Sequence, residues 1–179
     1  MSLFETITIR RAEPNGEECA FLTVVLHEFV KPMIPSLKGP QSGGASRPSA
    51  LADGSTLLVA ETSQPFGENA PYPNICGGVA LIPHEQGSKG SVDFPEGEKV
   101  GEIKRTIVRV EARERGVGSK LLASIEKEAK EEGYTYLVVE TLKQMSQARR
   151  LYERNGYTPR GLFGSYSEED SVLYEKWLR

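Results

Sequence analysis

The sequence predicts an α/β (α+β) fold: a central, mostly antiparallel twisted sheet of about six to seven strands with helices flanking it. Three observations carry this. Short apolar or alternating runs bounded by Gly, Pro and Asn recur along the chain. Three other segments carry the apolar stripe of a 3.6-residue period. The two kinds of segment follow the order β-α-loop-β-β-β-α-β-α-β-β, which suits a mixed sheet covered by helices.

The elements read as follows. Ile7-Thr8-Ile9-Arg10 alternates and opens the sheet, and Pro14-Asn15-Gly16 turns the chain. Glu17 to Val30 is a helix with Phe21, Leu22, Val25, Leu26 and Phe29 on one stripe. Lys31 to Ser55 is a long Pro-, Gly- and Ser-rich segment; loops of this length are commonly functional or disordered. Thr56 to Glu61 and Ile75 to Ile82 are strands, the second weakened by Gly77-Gly78. His84 to Glu98 is a polar loop, and Val100 to Val110 a long strand. Val117 to Glu132 is a helix with Val117, Leu121, Leu122, Ile125 and Ala129 on one face, and Gly133 ends it. Tyr134 to Thr141 is a strand, Ser146 to Arg154 a helix closed by Asn155-Gly156, and Tyr157 to Phe163 and Ser171 to Trp177 are the last strands.

The 179 residues suit one domain, expected to span 1–179. A formal net charge of -3 argues against a general nucleic-acid binder. No apolar run approaches a bilayer span, and the N-terminus lacks the pattern of a signal peptide, so a soluble, cytoplasmic protein without a membrane partner is expected. Cys19 and Cys76 read as reduced, buried thiols. His27 and His84 lack metal-ligand spacing, and no metal is expected.

The most chemical segment is Arg113-Glu114-Arg115-Gly116-Val117-Gly118, between a strand and a helix. Unpaired amides at a helix start, the helix dipole and glycines that admit close approach together suit a pyrophosphate. Arg113 and Arg115 add mobile positive charge, with Lys120 a turn further on. A tight turn with solvated arginines is the plainer alternative.

On these residues the chain resembles the GCN5-related N-acetyltransferases, the GNAT superfamily, whose acyl-CoA motif is Arg/Gln-x-x-Gly-x-Gly/Ala. Arg113, Gly116 and Gly118 match it. The resemblance runs from Glu102 to Lys176 and includes Leu137-Val138-Val139-Glu140-Thr141 and Leu151-Tyr152-Glu153-Arg154-Asn155-Gly156-Tyr157. Val110 stands where many relatives carry Pro, Glu114 where they carry Gly, and Met145 where they often carry Asn or Gln. The resemblance implies a GNAT-like fold with a splay between the strands at 100–110 and 134–141. It implies acetyl-CoA as co-substrate, held by Val108, Val110, Arg113, Arg115, Gly116, Val117, Gly118, Ser119 and Tyr152. It implies transfer of acetyl to a primary amine, of a small molecule or a peptide, by direct attack in a ternary complex.

Within Val100 to Val110 the apolar residues change face: Ile103 and Ile107 share one parity, Val108 and Val110 the other. A β-bulge near Thr106 to Val108 reconciles them. By resemblance, the Val108 N–H polarises the thioester carbonyl and Val110 pairs with pantetheine amides. Glu102 stands eleven residues before Arg113, a spacing at which, in the histone-acetylating branch the chain resembles, a glutamate is the general base; that resemblance makes it the candidate base, against a plain strand carboxylate paired with Lys or Arg. Tyr152 matches the family tyrosine that donates a proton to the departing thiolate, against a core tyrosine. Glu140, Phe163 and Tyr166 are weaker candidates around the acceptor.

A dinucleotide-binding turn is disfavoured because Leu121 stands where its third Gly belongs, and no P-loop motif is present. An acyl-CoA-binding sensor or interaction module without turnover remains the alternative. The acceptor, the acyl chain length and pairing into a homodimer are left open.

Overall fold

In the computed structural model the described residues are 6–33, 51–63, 65–66, 71–84, 94–161 and 171–178. Among the described residues seven strands form one sheet in the order β1-β2-β3-β4-β5-β7-β6. They are β1 (Ile7–Ala12), β2 (Thr56–Thr62), β3 (Ile75–Pro83), β4 (Val100–Val108), β5 (Tyr136–Leu142), β6 (Thr158–Arg160) and β7 (Ser171–Trp177), with helices α1 (Glu17–Val30), α2 (Val117–Glu131) and α3 (Ser146–Arg154). Every neighbouring pair is antiparallel except β4 and β5. The mixed, helix-flanked sheet is the fold class expected.

Two adjacent glycines show how the helices reach both faces. A Cβ on Gly77 would meet Leu121 of α2 at 3.2 Å, and one on Gly78 would meet Leu22 of α1 at 2.4 Å. Successive strand residues point to opposite faces, so α2 covers one side and α1 the other, and neither could sit so close over a larger side chain. On the α2 side Val117, Leu121, Leu122, Ile125 and Ala129 are buried against Leu58, Val79, Leu81, Ile103, Leu137 and Val139. On the α1 side Cys19 and Leu22 pack on Leu57, Val59, Ile75, Ala80 and Ile107. Cys19 and Cys76 are free thiols.

The apolar stripes set the helices, and local chemistry ends them. Glu17 and Glu18 lie in the first turn of α1, charges that suit the helix dipole. At the end of α2, the Tyr134 N–H donates to Ala129 O at 2.8 Å and the Gly133 N–H to Lys130 O at 3.0 Å. Gly133 has φ of +82°, the left-handed turn of a Schellman motif.

Several boundaries differ from expectation; β1, for one, runs on to Ala12 and does not stop at Arg10. β4 stops at Val108, and Val110 opens a 3₁₀ turn (Val110–Ala112); the Arg109 N–H makes the last bond to β3, to Cys76 O, and the Ala112 N–H then folds back to Arg109 O. β5 begins at Tyr136, because the N–H groups of Thr135 and Tyr136 both turn to Lys99 O. β6 holds three residues, and Phe163 and Tyr166 lie outside the described residues. No described helix is long and apolar enough to cross a membrane.

Candidate functional site

β4 and β5 part. They pair only where Val100–Ile103 lies against Tyr136–Val139, although β4 runs on to Val108 and β5 to Leu142. The cause is on the other edge of β4. Gly78 pairs with Ile107 and Ala80 with Lys104, so two steps along β3 face three along β4. Arg105, in the additional stretch, has φ of +53°. Such a bulge bends and twists its strand, here at Arg105–Thr106, at the upstream edge of the expected stretch. The Arg105 side chain anchors it, donating from Nη1 to Cys19 Sγ of α1 at 2.9 Å.

The bulge also directs backbone groups. Arg109 is bonded to Cys76 across the β3 ladder, so the next pair, Val108 and Gly77, is the non-hydrogen-bonded kind. The N–H and C=O of Val108 therefore face away from β3, into the gap left by β5. The carbonyl there accepts from Arg113 Nε at 3.1 Å. The Arg113 guanidinium also lies over the Phe29 ring, 4.3 Å from its centroid. Thr106 Oγ1 is buried and has no hydrogen-bond partner among the described residues.

Beyond the 3₁₀ turn, Glu114 and Gly116 take left-handed φ values of +62° and +76°. That conformation is costly for Glu114 and ordinary for glycine. It aims the start of α2 back at the gap, and no side chain caps that helix. Its first amides are left for an outside acceptor. The N-terminus of α3 is likewise uncapped by any side chain. Gly118 lets the two helices close up, since a Cβ there would lie 3.2 Å from Leu151 of α3. Between them is a cleft of about 630 Å³: Thr106–Val108 line its floor, Gly116–Ser119 one wall and α3 the other, with Phe29 and Met33 at the mouth. A smaller depression of about 420 Å³, between Glu13–Gly16 and Ala52–Ser55, lies apart from the parted strands.

Of the residues singled out from sequence, Val108, Arg113, Gly116, Val117, Gly118 and Ser119 meet at this cleft. Val110 does not line it: it is outside β4 and 67% exposed. Arg115 is exposed and off the cleft wall. Tyr152 lies beneath it, 3% exposed, among Tyr157 and Tyr174. Burial pushes its phenol up to about 12, and the nearby Thr106 hydroxyl offsets part of that rise. The contact falls short of hydrogen-bonding geometry, and Thr106 Oγ1 has no partner of that geometry among the described residues.

Glu102 lies on the other face of the sheet. Its neighbour Ile103 packs in the α2 cluster, so Glu102 points to the α1 side, 6% exposed. Oε1 is 3.2 Å from Lys104 Nζ and Oε2 3.7 Å from His84 Nδ1. Among the described residues Oε1 has no partner in hydrogen-bonding geometry, so the Lys104 contact is charge pairing. Tyr152 and Glu102 thus lie on opposite faces of the sheet, and Glu102 sits in the stretch of β4 that is still paired with β5.

Sequence reasoning missed several cleft residues, among them Phe29, Met33, Arg150 and Arg154. A signal for two existed. Gln147, Arg150, Leu151 and Arg154 fall at i, i+3, i+4 and i+7, one stripe of α3, and that stripe faces the cleft.

Comparison with known proteins agrees with this fold. The model of the acetyltransferase (GNAT) family matches residues 40–157, a range wider at its start than the sequence resemblance and including β2 and β3. An IAA acetyltransferase of Azospirillum brasilense is 36% identical over 74 residues, which are 41% of this chain and 48% of that protein. The chain thus spans about half the length of that curated relative. A Klebsiella pneumoniae protein classed with the acyl-CoA N-acyltransferases superposes with a TM-score of 0.67 at 26% identity, covering 97% of this chain and 98% of that one. NAA60 of Arabidopsis thaliana, solved in complex with acetyl-CoA, gives a TM-score of 0.63 at 15% identity, covering 96% and 98%, a likeness of fold.

Proposed function

The chain belongs to the GNAT acetyltransferase family, and on that premise we propose that it transfers acetyl from acetyl-CoA to a primary amine, as one acyltransferase domain and by direct attack in a ternary complex. The observation that carries this is the uncapped start of α2, turned by Gly116 toward a gap into which the Val108 N–H points. The residues fit an acyl carrier. Amides at a helix start suit a diphosphate, and a parted strand edge offers backbone groups to the amides of an extended arm. When bound, acetyl-CoA supplies an acetyl group already activated as a thioester.

The chain's own groups then have these tasks. The α2 amides of Val117, Gly118 and Ser119 hold the diphosphate. Arg113 fixes the Val108 carbonyl and with it the direction of the Val108 N–H, which stabilises the carbonyl oxygen as charge builds there. An alkyl ammonium has a pKa of about 10 and must lose a proton to attack. Glu102, on the α1 face, takes that proton through water, and the acceptor enters from the same face. Tyr152, on the α2 face, stays protonated at its raised pKa of about 12. Full transfer from it to a thiolate of ordinary pKa about 8.5 runs uphill, so it acts mainly as a hydrogen-bond donor to the sulfur; the released thiolate takes its proton from solvent, to which Glu102 returns the one it took.

A panel of amines incubated with acetyl-CoA, read by mass spectrometry and by thiol release, tests the reading. An acetylated amine formed in step with free thiol is the expected result. Tight CoA uptake with no transfer to any amine replaces the enzyme with a binding module.

A further inference from the structure

The arginines of the glycine turn do not supply the charge of the cleft as their sequence position suggests. Arg113 is committed to the Val108 carbonyl and the Phe29 ring, and Arg115 lies off the wall. The exposed cationic groups that line the cleft come from the opposite helix: Arg150 and Arg154 of α3. Neither pairs with a carboxylate among the described residues. Arg154 donates from Nε to Arg150 O at 3.2 Å, which leaves its two terminal amino groups uncommitted there. Four residues apart, the two side chains leave the helix about 6 Å from each other along its axis. The cleft is lined by these two arginines, Arg113 and a single acid, Glu114, in a chain whose formal net charge is -3. A net positive cleft in an acidic protein marks this wall for an anion.

The α2 amides already serve one anion, the diphosphate of the proposed carrier. A guanidinium pair on the facing wall matches a second, separate phosphate. A phosphomonoester carries close to two negative charges and three acceptor oxygens, and arginine forks fit such a group in two-point contact. We propose that Arg150 and Arg154 form a phosphomonoester subsite that reads the ribose 3′-phosphate of CoA, so that this protein selects CoA against carriers lacking that group. This rests on the acyl-CoA reading above. The plainer role, cations near the end of α3 favoured by its dipole, makes no distinction between carriers.

Calorimetric titration of the full chain with CoA and with 3′-dephospho-CoA tests it without turnover. The wild-type protein is expected to bind CoA at least about tenfold more tightly, a preference that shrinks as salt is raised. In R150Q/R154Q the preference falls toward unity because CoA weakens while dephospho-CoA holds its affinity; R150K/R154K, which keeps the charge, retains part of it. Equal wild-type affinity for the two ligands overturns the subsite and leaves the acyl-CoA reading standing. A preference that survives R150Q/R154Q also overturns it. Binding of neither ligand by the wild-type protein overturns both.

Discussion

Between Val100 and Ile103, β4 lies against β5 as an ordinary parallel ladder; between Arg105 and Val108 that ladder has ended. At the closed end Ile103, Leu137 and Val139 are at most 1% exposed, and Gly101 is so enclosed that an added Cβ would lie 2.6 Å from Leu81. At the open end Thr106 Oγ1 is buried with no partner among the described residues, and Val108 turns its N–H from the sheet. A buried polar group left unpaired costs about 1–3 kcal/mol. The open end is held against that cost by two arginines, Arg105 on Cys19 and Arg113 on Val108. The closed half supplies stability, and the open half gives some up to leave groups free for a ligand.

The largest expected effect tests the one proposed catalytic group on the closed half. Glu102→Gln is expected to lower kcat/KM about a hundredfold near pH 7, the scale of general-base catalysis. The deficit narrows as pH rises and the amine deprotonates by itself. Full activity of this variant from pH 6 to 9 would confine the chemistry to the open end.

Two glycine substitutions sharpen the contrast. Gly101→Val forces side-chain atoms against Leu81, Leu137 and Tyr134 and is expected to cost about 3 kcal/mol of unfolding free energy, measured by chemical denaturation. Gly118→Val meets Leu151 at the cleft, and is expected to weaken CoA about tenfold, or ~1.4 kcal/mol, with a smaller loss of stability. Equal stability losses with CoA binding intact in both would erase the distinction between the halves.

The smallest effect concerns Tyr152. A phenol ordinarily near 10 is raised to about 12, so the unfolded chain loses this proton first. Its contribution to stability is intact below pH 10 and is lost as pH climbs toward 12. Cys76, raised from 9.0 to about 11 by burial, adds a similar loss beginning near pH 9. Tyr152→Phe is expected to remove its own share, about 1 kcal/mol by pH 11, in denaturation curves taken from pH 8 to 11. The same variant should bind CoA normally while kcat falls; unchanged turnover removes Tyr152 from the mechanism.

Local pattern explains what was legible beforehand. The stripe of Phe21, Leu22, Val25, Leu26 and Phe29 marks α1 because burial on one face of a helix imposes its period. A bulge is legible in this strand because its apolar residues fall on both parities, but the change of face comes earlier than Ile107: Ile103 packs with α2 and Ile107 with α1. The glycine turn is legible because left-handed backbone at position 116 favours glycine. What was not legible depends on distant chain. Arg113 is tied down by Phe29, which only the packing of α1 brings near. Arg150 and Arg154 look like a solvated helix face until α3 is set against α2. Val110 reads as strand by its β-branched side chain, but the 3₁₀ turn takes it out of the ladder.

Backbone amide resonances followed during a CoA titration test most directly whether the open end of β4 and the start of α2 hold the carrier. The amides of Val108, Val117, Gly118 and Ser119 are expected to move in a saturable way, while those of Ile103 and Val139 in the closed half stay nearly fixed. Shifts centred on the closed half, or none at saturating CoA, would contradict it.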